Sequence, residues 1–272
     1  GAEVPALALL EGVMDRQIEL ITEWMRVGFI HGVMNTDNVA LSGETIDYGP
    51  CAFMDQYHPE TVFSSIDQRG RYAYGNQPVI TQWNLARFAE TLIPLIDDDA
   101  DRAVETAEAL IKSHTERYAQ RWLVMMRGKL GLFGEEDGDA ALAADLLDWM
   151  ARHDADHTNT FRDLIGGATP PGEAFQNDEF ADWHRRWQAR LGRNGKAEED
   201  AWALMGRHNP AVIPRNHQVE AALSAAVRDG DLAPVKALLA ALDDPYRDRA
   251  PDDPYRQPPA PDEQVLRTFC GT

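Results

Sequence analysis

Three features of the 272-residue sequence predict a mainly α-helical fold. Long segments carry apolar residues at steps of three and four, the period of an amphipathic helix. Residues 29–78 break that period with frequent Gly, Pro, Asn and Asp. Within that break, two short runs around Ser42-Gly43-Glu44 read as one small hairpin. At 44% hydrophobic and 26% charged the chain can bury a core.

The elements follow in order. Leu7, Leu10, Met14, Ile18, Ile21 and Met25 lie on one helix face that ends near Gly28. Val39-Ala40-Leu41 and Thr45-Ile46 form the hairpin arms. So long an irregular stretch in a compact protein is usually functional. Trp83, Leu85, Phe88, Leu92 and Leu95 suit a helix from Pro78 towards Ile96, and Asp97-Asp98-Asp99 supplies an acidic start for the next, over about 100–130. A helix from Ala140 to Arg152, with a continuation to Leu164, precedes the breakers Gly166-Gly167 and Pro170-Pro171. Shorter helices are predicted over 175–191, 198–205, 218–227 and 232–242. The Pro- and Asp-rich residues after Pro245 read as an extended surface tail.

Acidic residues number 45 against 26 basic ones, a formal charge of −19. Such a chain repels phosphate backbones and anionic lipid, so neither nucleic acid nor a membrane is expected as partner. No apolar run approaches the roughly 18 residues of a spanning helix, and no basic, apolar leader is present. Two cysteines are too few for a disulfide scaffold or a cysteine-based zinc site, which points to a reducing compartment, most simply cytoplasm. The chain opens Gly1-Ala2-Glu3 rather than with Met and reads as a piece of something longer.

Chemistry concentrates in His31-Gly32-Val33-Met34-Asn35-Thr36-Asp37-Asn38, then the hairpin, then Asp47-Tyr48-Gly49-Pro50. An acid beside an amide, a tight hairpin and an Asp-aromatic-Gly is the order of a kinase-type active site, where an asparagine and an aspartate hold Mg²⁺ on nucleotide phosphates. Hard divalent ions want carboxylate and carbonyl oxygens fixed on either side of a rigid reversal. The match is partial. With His31 laid on the His of His-Arg-Asp, the usual catalytic Asp falls on Val33, which accepts no proton. Asp37 is the nearest carboxylate.

The string from Gly28 to Asn38, with Thr45-Ile46-Asp47-Tyr48-Gly49-Pro50, resembles the selenoprotein O family. So do Gly70-Arg71-Tyr72, Asn76-Gln77-Pro78, Trp83-Asn84-Leu85, Asn209-Pro210-Ala211 and Arg215-Asn216, and the cysteine near the C-terminus. The resemblance implies a protein-kinase-like fold of the pseudokinase kind, with ATP bound in a flipped orientation. It implies transfer of AMP to Ser, Thr or Tyr hydroxyls of proteins. Carried over, Asp37 is the proton acceptor, Asn38 and Asp47 are Mg²⁺ ligands (Mn²⁺ being the alternative ion), and Asp47 also faces the nucleotide. The glycine-rich loop, phosphate-pairing Lys and partner Glu of an N-lobe are not recognisable; Gly192-Arg193-Asn194-Gly195-Lys196 is a polar turn. The chain therefore resembles the C-terminal half of such an enzyme, inactive without its N-terminal lobe. Residues 1–100 would be the C-lobe core, 101–244 its helical continuation and extension, and 245–272 the tail. Some family members pair a terminal Cys or selenocysteine with one in the activation segment. Cys51 and Cys270 are the candidates for that redox pair here, against the alternative of two free thiols. Cys in place of selenocysteine fits a bacterial source.

Plainer readings stand beside these. Asp37 and Asn38 could cap a turn. His31 and Asn35 suit bracing of the loop better than catalysis. His153 and His157 have the i, i+4 spacing of zinc enzymes but lack the glutamate and a third ligand, so a solvated helix face is expected. Trp183, Trp187 and Leu191 read as core, and the runs 97–99 and 135–137 as solvated helix ends. Besides the adenylyltransferase, the motifs allow a silent pseudokinase that binds nucleotide or protein, and a kinase whose base has moved to Asp37.

Overall fold

The structure is a computed structural model and describes residues 3–269. Helix α1, Pro5–Val27, starts on a proline, whose fixed φ suits a first turn, and buries Leu10, Met14, Ile18, Ile21 and Met25. It stops at Gly28, whose left-handed φ of 75° lets its N–H reach the Trp24 carbonyl. Helices α2, Gln77–Ile96, and α3, Ala100–Leu130, pack against α1 and each other. The Asp99 carboxylate caps α3 by accepting from the Asp101 and Arg102 N–H groups, as its acidic start predicts.

Between α1 and α2 the chain is irregular, as expected, but its β-structure lies elsewhere. Strand β1, Phe29–Ile30, pairs antiparallel with β2, Ala52–Phe53, in the register Phe29 to Phe53 and Ile30 to Ala52. The expected hairpin is reduced to one bridge, Val39 to Thr45. Its turn is spent on contact with α1: a Cβ on Gly43 would come within 2.8 Å of the Arg16 Cβ. The arms are held by side chains of α1 instead of a ladder.

Helix α4, Asp139–Arg152, does not run on to 164. Asp154 turns left-handed at φ 50°, and a separate α5, His157–Asp163, starts under the Asp156 cap. The interruption has a use. The Ala155 carbonyl accepts from Tyr57 N–H at 2.9 Å and His157 N–H donates to the Asp55 carbonyl at 2.7 Å, tying this turn to the segment after β2. His153 thus caps the end of α4, and His157 opens α5. His153 stacks on Trp149, and His157 is buried between Tyr57 and Phe161. That corrects the expectation of one solvated face carrying both.

Helices α6, Asp178–Leu191, α7, Glu198–His208, α8, Asn216–Asp229, and α9, Ala233–Leu242, complete the body, and no described helix is long and apolar enough to cross a membrane. Trp183 and Trp187 are buried and stacked 5.7 Å apart, and their indole N–H groups donate to the Leu142 and Leu130 carbonyls, each at 2.9 Å. An aromatic ring can enter the core only if its polar atom finds such a partner. Beside them the fully buried Asp139 carboxylate accepts from Arg190 Nε at 2.7 Å and Arg127 Nε at 2.7 Å. Burial opposes its ionisation, but these guanidinium groups and the Glu136 N–H outweigh burial and hold its pKa low.

Removing that charge strands two guanidinium groups. Asp139→Asn is expected to cost roughly 3–5 kcal/mol in urea unfolding, whereas Asp182→Asn, on an exposed pair, leaves the midpoint nearly unchanged. His114, buried and stacked on Tyr118, is pushed by burial down to about 4. Between pH 6.5 and about 4 the unfolded chain binds the extra proton, so stability falls as pH falls there, by up to about 1.4 kcal/mol per pH unit from one group. His114→Leu should remove that contribution from the pH dependence of the unfolding free energy.

Candidate functional site

The loop from His31 to Gly49 is irregular backbone held by a shell of buried polar side chains, because loop amides inside a protein must find partners. The α1 residue Gln17 donates to the Ala40 carbonyl at 2.6 Å, and Trp24 Nε1 donates to Thr45 Oγ1 at 2.9 Å. From α2, Gln77 accepts from His31 N–H at 3.1 Å and donates to the Phe29 carbonyl at 3.0 Å, while Asn84 donates to the Met34 carbonyl at 3.0 Å. Gln77, Thr81 and Asn84 are all buried on one helical face. Polar residues at steps of four and three on an apolar face are the signal that could have found this shell. Two of them lie in strings already noted, but with no role attached.

His31 is the centre of the loop. Its ring is buried beside Trp24, with centroids 5.3 Å apart. Val33 N–H donates to Nδ1 at 3.3 Å, so the ring proton sits on Nε2 and faces the Ile46 carbonyl at 2.8 Å. Burial lowers the His31 pKa below 6.5, against the raising effects of the Ile46 carbonyl and Asp47, so the ring is neutral. It ties the start of the loop to the residue before Asp47. Asn35 also braces the loop, accepting from the Tyr72 hydroxyl at 2.6 Å.

A 3₁₀ turn, Thr36–Asn38, carries Asp37 and Asn38. Asp37 is exposed and Asn38 partly so. Asn38 Nδ2 donates to the Val33 carbonyl at 3.0 Å and to Asp47 Oδ2 at 2.9 Å. Both amide hydrogens are spent, which fixes the amide and leaves its oxygen free of a protein donor among the described residues. Asp47 is exposed and left-handed at φ 57°, a conformation that costs most residues about 1–2 kcal/mol and Asp somewhat less. Among the described residues its Oδ1 meets only the Gly49 N–H, at 3.4 Å. Two oxygen-bearing side chains from either side of the reversal therefore meet, with Asp37 beside one of them in sequence. Among the described residues no group of three or more His, Cys, Asp and Glu forms a metal cluster.

Cys51 follows this turn, half-buried, and burial raises its thiol pKa. Cys270 lies outside the described residues. Sequence reasoning attached no chemistry to Arg215 and Asn216, which prove to be anchors of the segment after β2. Arg215 is buried and pairs with Asp55 at 2.5 Å and Asp156 at 2.8 Å. Asn216 donates to the Phe53 carbonyl at 2.9 Å and accepts from its N–H at 3.2 Å, capping the free edge of β2.

The tautomer is open to measurement. In ¹H–¹⁵N spectra the His31 ring should carry its proton on Nε2 at pH 7 and titrate below 6.5. An Nδ1–H ring, or titration above 6.5, contradicts the hydrogen-bonding described.

Comparison with known proteins places these features in a family. Residues 3–243 match the family model described as protein adenylyltransferase SelO. A protein nucleotidyltransferase YdiU of Alcanivorax borkumensis is 63% identical over 272 residues, spanning 100% of this chain and 56% of its own length. Proteins of the same name from Nitrosococcus oceani and Geobacillus kaustophilus are each 55% identical over 271 residues, spanning 100% of this chain and 55% and 56% of their own. The chain thus spans little more than half the length of these relatives.

Proposed function

The chain belongs to the SelO protein adenylyltransferase family, and we propose on that premise that it carries the metal- and acceptor-handling part of a protein adenylyltransferase. The reaction moves AMP from ATP to a Ser, Thr or Tyr hydroxyl of a protein. In this reading helices α1 to α3 and the loop between them correspond to the C-lobe of a protein-kinase-like fold. The glycine-rich loop and lysine that hold the phosphates then belong to an N-terminal lobe elsewhere in a longer polypeptide, without which this portion is inactive. Relatives nearly twice as long support that division.

The observation that carries the reading is the 2.9 Å contact between Asn38 and Asp47 across the reversal. With both amide hydrogens of Asn38 spent, its carbonyl oxygen is left without a protein donor among the described residues, and with the Asp47 carboxylate it offers hard oxygens of the kind that suit Mg²⁺ or Mn²⁺. Asn38 and Asp47 would hold the ion. When bound, the ion would neutralise charge on the α-phosphate and on departing pyrophosphate. Asp37, exposed next to Asn38, accepts the acceptor hydroxyl's proton. The hydroxyl oxygen bonds to the α-phosphorus, and the bond from that phosphorus to the bridging oxygen breaks with pyrophosphate leaving. His31 stays neutral and structural, fixing Ile46 and through it the approach of Asp47.

A polypeptide of the relatives' length should transfer label to protein from α-³²P-ATP and not from γ-³²P-ATP. Asp37→Ala should lower that transfer by roughly 10²–10⁴-fold while nucleotide binding persists. Transfer of γ-label would make the protein a kinase, and binding without any transfer would make it a silent nucleotide-binding module.

A further inference from the structure

The end of the described chain is fastened to the turn that follows Asp47. Thr268 forms a parallel bridge with Ser64. Its N–H donates to the Phe63 carbonyl at 2.8 Å, and its carbonyl accepts from Ser65 N–H at 2.9 Å. Its hydroxyl donates to the Pro50 carbonyl. That same carbonyl and the Ser64 Cβ are the atoms a side chain on Gly32 would strike, at 3.0 and 3.2 Å. Gly32, Pro50, Ser64 and Thr268 therefore converge at one point, joining both ends of the site loop to the tail. The tail is itself anchored: buried Arg256 pairs with Asp163 at 2.5 Å, and its carbonyl accepts from Asn159 Nδ2 at 3.1 Å.

The turn needs an outside brace. Its own hydrogen bonds are long, 3.4 Å from Gly49 N–H to Asp47 Oδ1 and 3.4 Å from Cys51 N–H to the Tyr48 carbonyl. A left-handed aspartate persists only where its surroundings fix it. On the upstream side His31 holds the Ile46 carbonyl, and on the downstream side Thr268 holds that of Pro50.

We propose that Thr268 is a positioning residue for the metal side of the site, the tail strand gripping Pro50 so that Asp47 keeps its place against Asn38. This deepens the adenylyltransferase reading and rests on it for the role of Asp47. It also makes the tail part of the site.

The test uses the full-length protein with Thr268→Val, which keeps the backbone bridge and loses the hydroxyl, and Thr268→Ser, which restores it. Hydrogen exchange over residues 47–53 and Mn²⁺ titration by EPR, in the presence of a non-hydrolysable ATP analogue, are read side by side. In the Val variant those amides should exchange roughly fivefold faster and Mn²⁺ should bind roughly fivefold more weakly, the loss of one hydrogen bond. The unfolding midpoint should fall by no more than one lost hydrogen bond explains, and the Ser variant should match the wild type in both readouts. Unchanged exchange over 47–53 in the Val variant, or a Ser variant as impaired as Val, overturns the inference. Faster exchange in the Val variant of a protein that binds no Mn²⁺ upholds the brace and instead refutes Asp47 as a ligand.

Discussion

The hydrogen bond from the buried His31 ring to the Ile46 carbonyl is the constraint on which the site depends. It spans the loop at its base, so the residues on either side of the reversal cannot drift apart. A charged ring could not accept from Val33 N–H and would have to be solvated, hence the depressed pKa and the neutral tautomer belong to the same device. With Ile46 fixed, Asp47 enters its left-handed conformation against Asn38 rather than turning into solvent. Strain of this kind is kept only when it is over-determined from outside.

The helical body supplies that over-determination. Three packed helices form a rigid wall, and amides on that wall replace the β-ladder the loop lacks: Gln17 on α1, and Gln77 and Asn84 on α2. Gln77 and Asn84 satisfy backbone groups that would otherwise be buried without a partner, at a cost of about 1–3 kcal/mol apiece, and Gln17 does the same for the partly buried Ala40 carbonyl. The edge of β2 is closed in the same manner by Asn216. Side chains in place of strands let a loop stay irregular in shape yet fixed in position.

Much of this was legible in the sequence. The periodic spacing from Leu7 to Met25 and the Asp99 start mark helices whose energetics are local, and these stand where expected. So do Trp183 and Trp187, whose area leaves them little choice but the core. Features set by distant partners were not legible. The break after Arg152 exists because residues 155–157 hydrogen-bond to 55–57, a pairing across about a hundred positions that no local pattern encodes. The hairpin reading held only in part for a related reason: its arms share one antiparallel bridge, Val39 to Thr45, and are otherwise held by α1 side chains. Of the site, the residue types and order of Asp37, Asn38 and Asp47 could be read directly. The contact of Asn38 with Asp47 and the buried shell behind it required the fold.

Anomalous diffraction from crystals of the full-length protein grown with Mn²⁺ and a non-hydrolysable ATP analogue is the most direct measurement. An anomalous peak should lie roughly 2.0–2.2 Å from Asn38 Oδ1 and an Asp47 carboxylate oxygen, with the His31 contact to Ile46 intact. A peak ligated by other residues, with Asn38 still bonded to Asp47 and no ion between them, would contradict the assignment of this pair as the metal site.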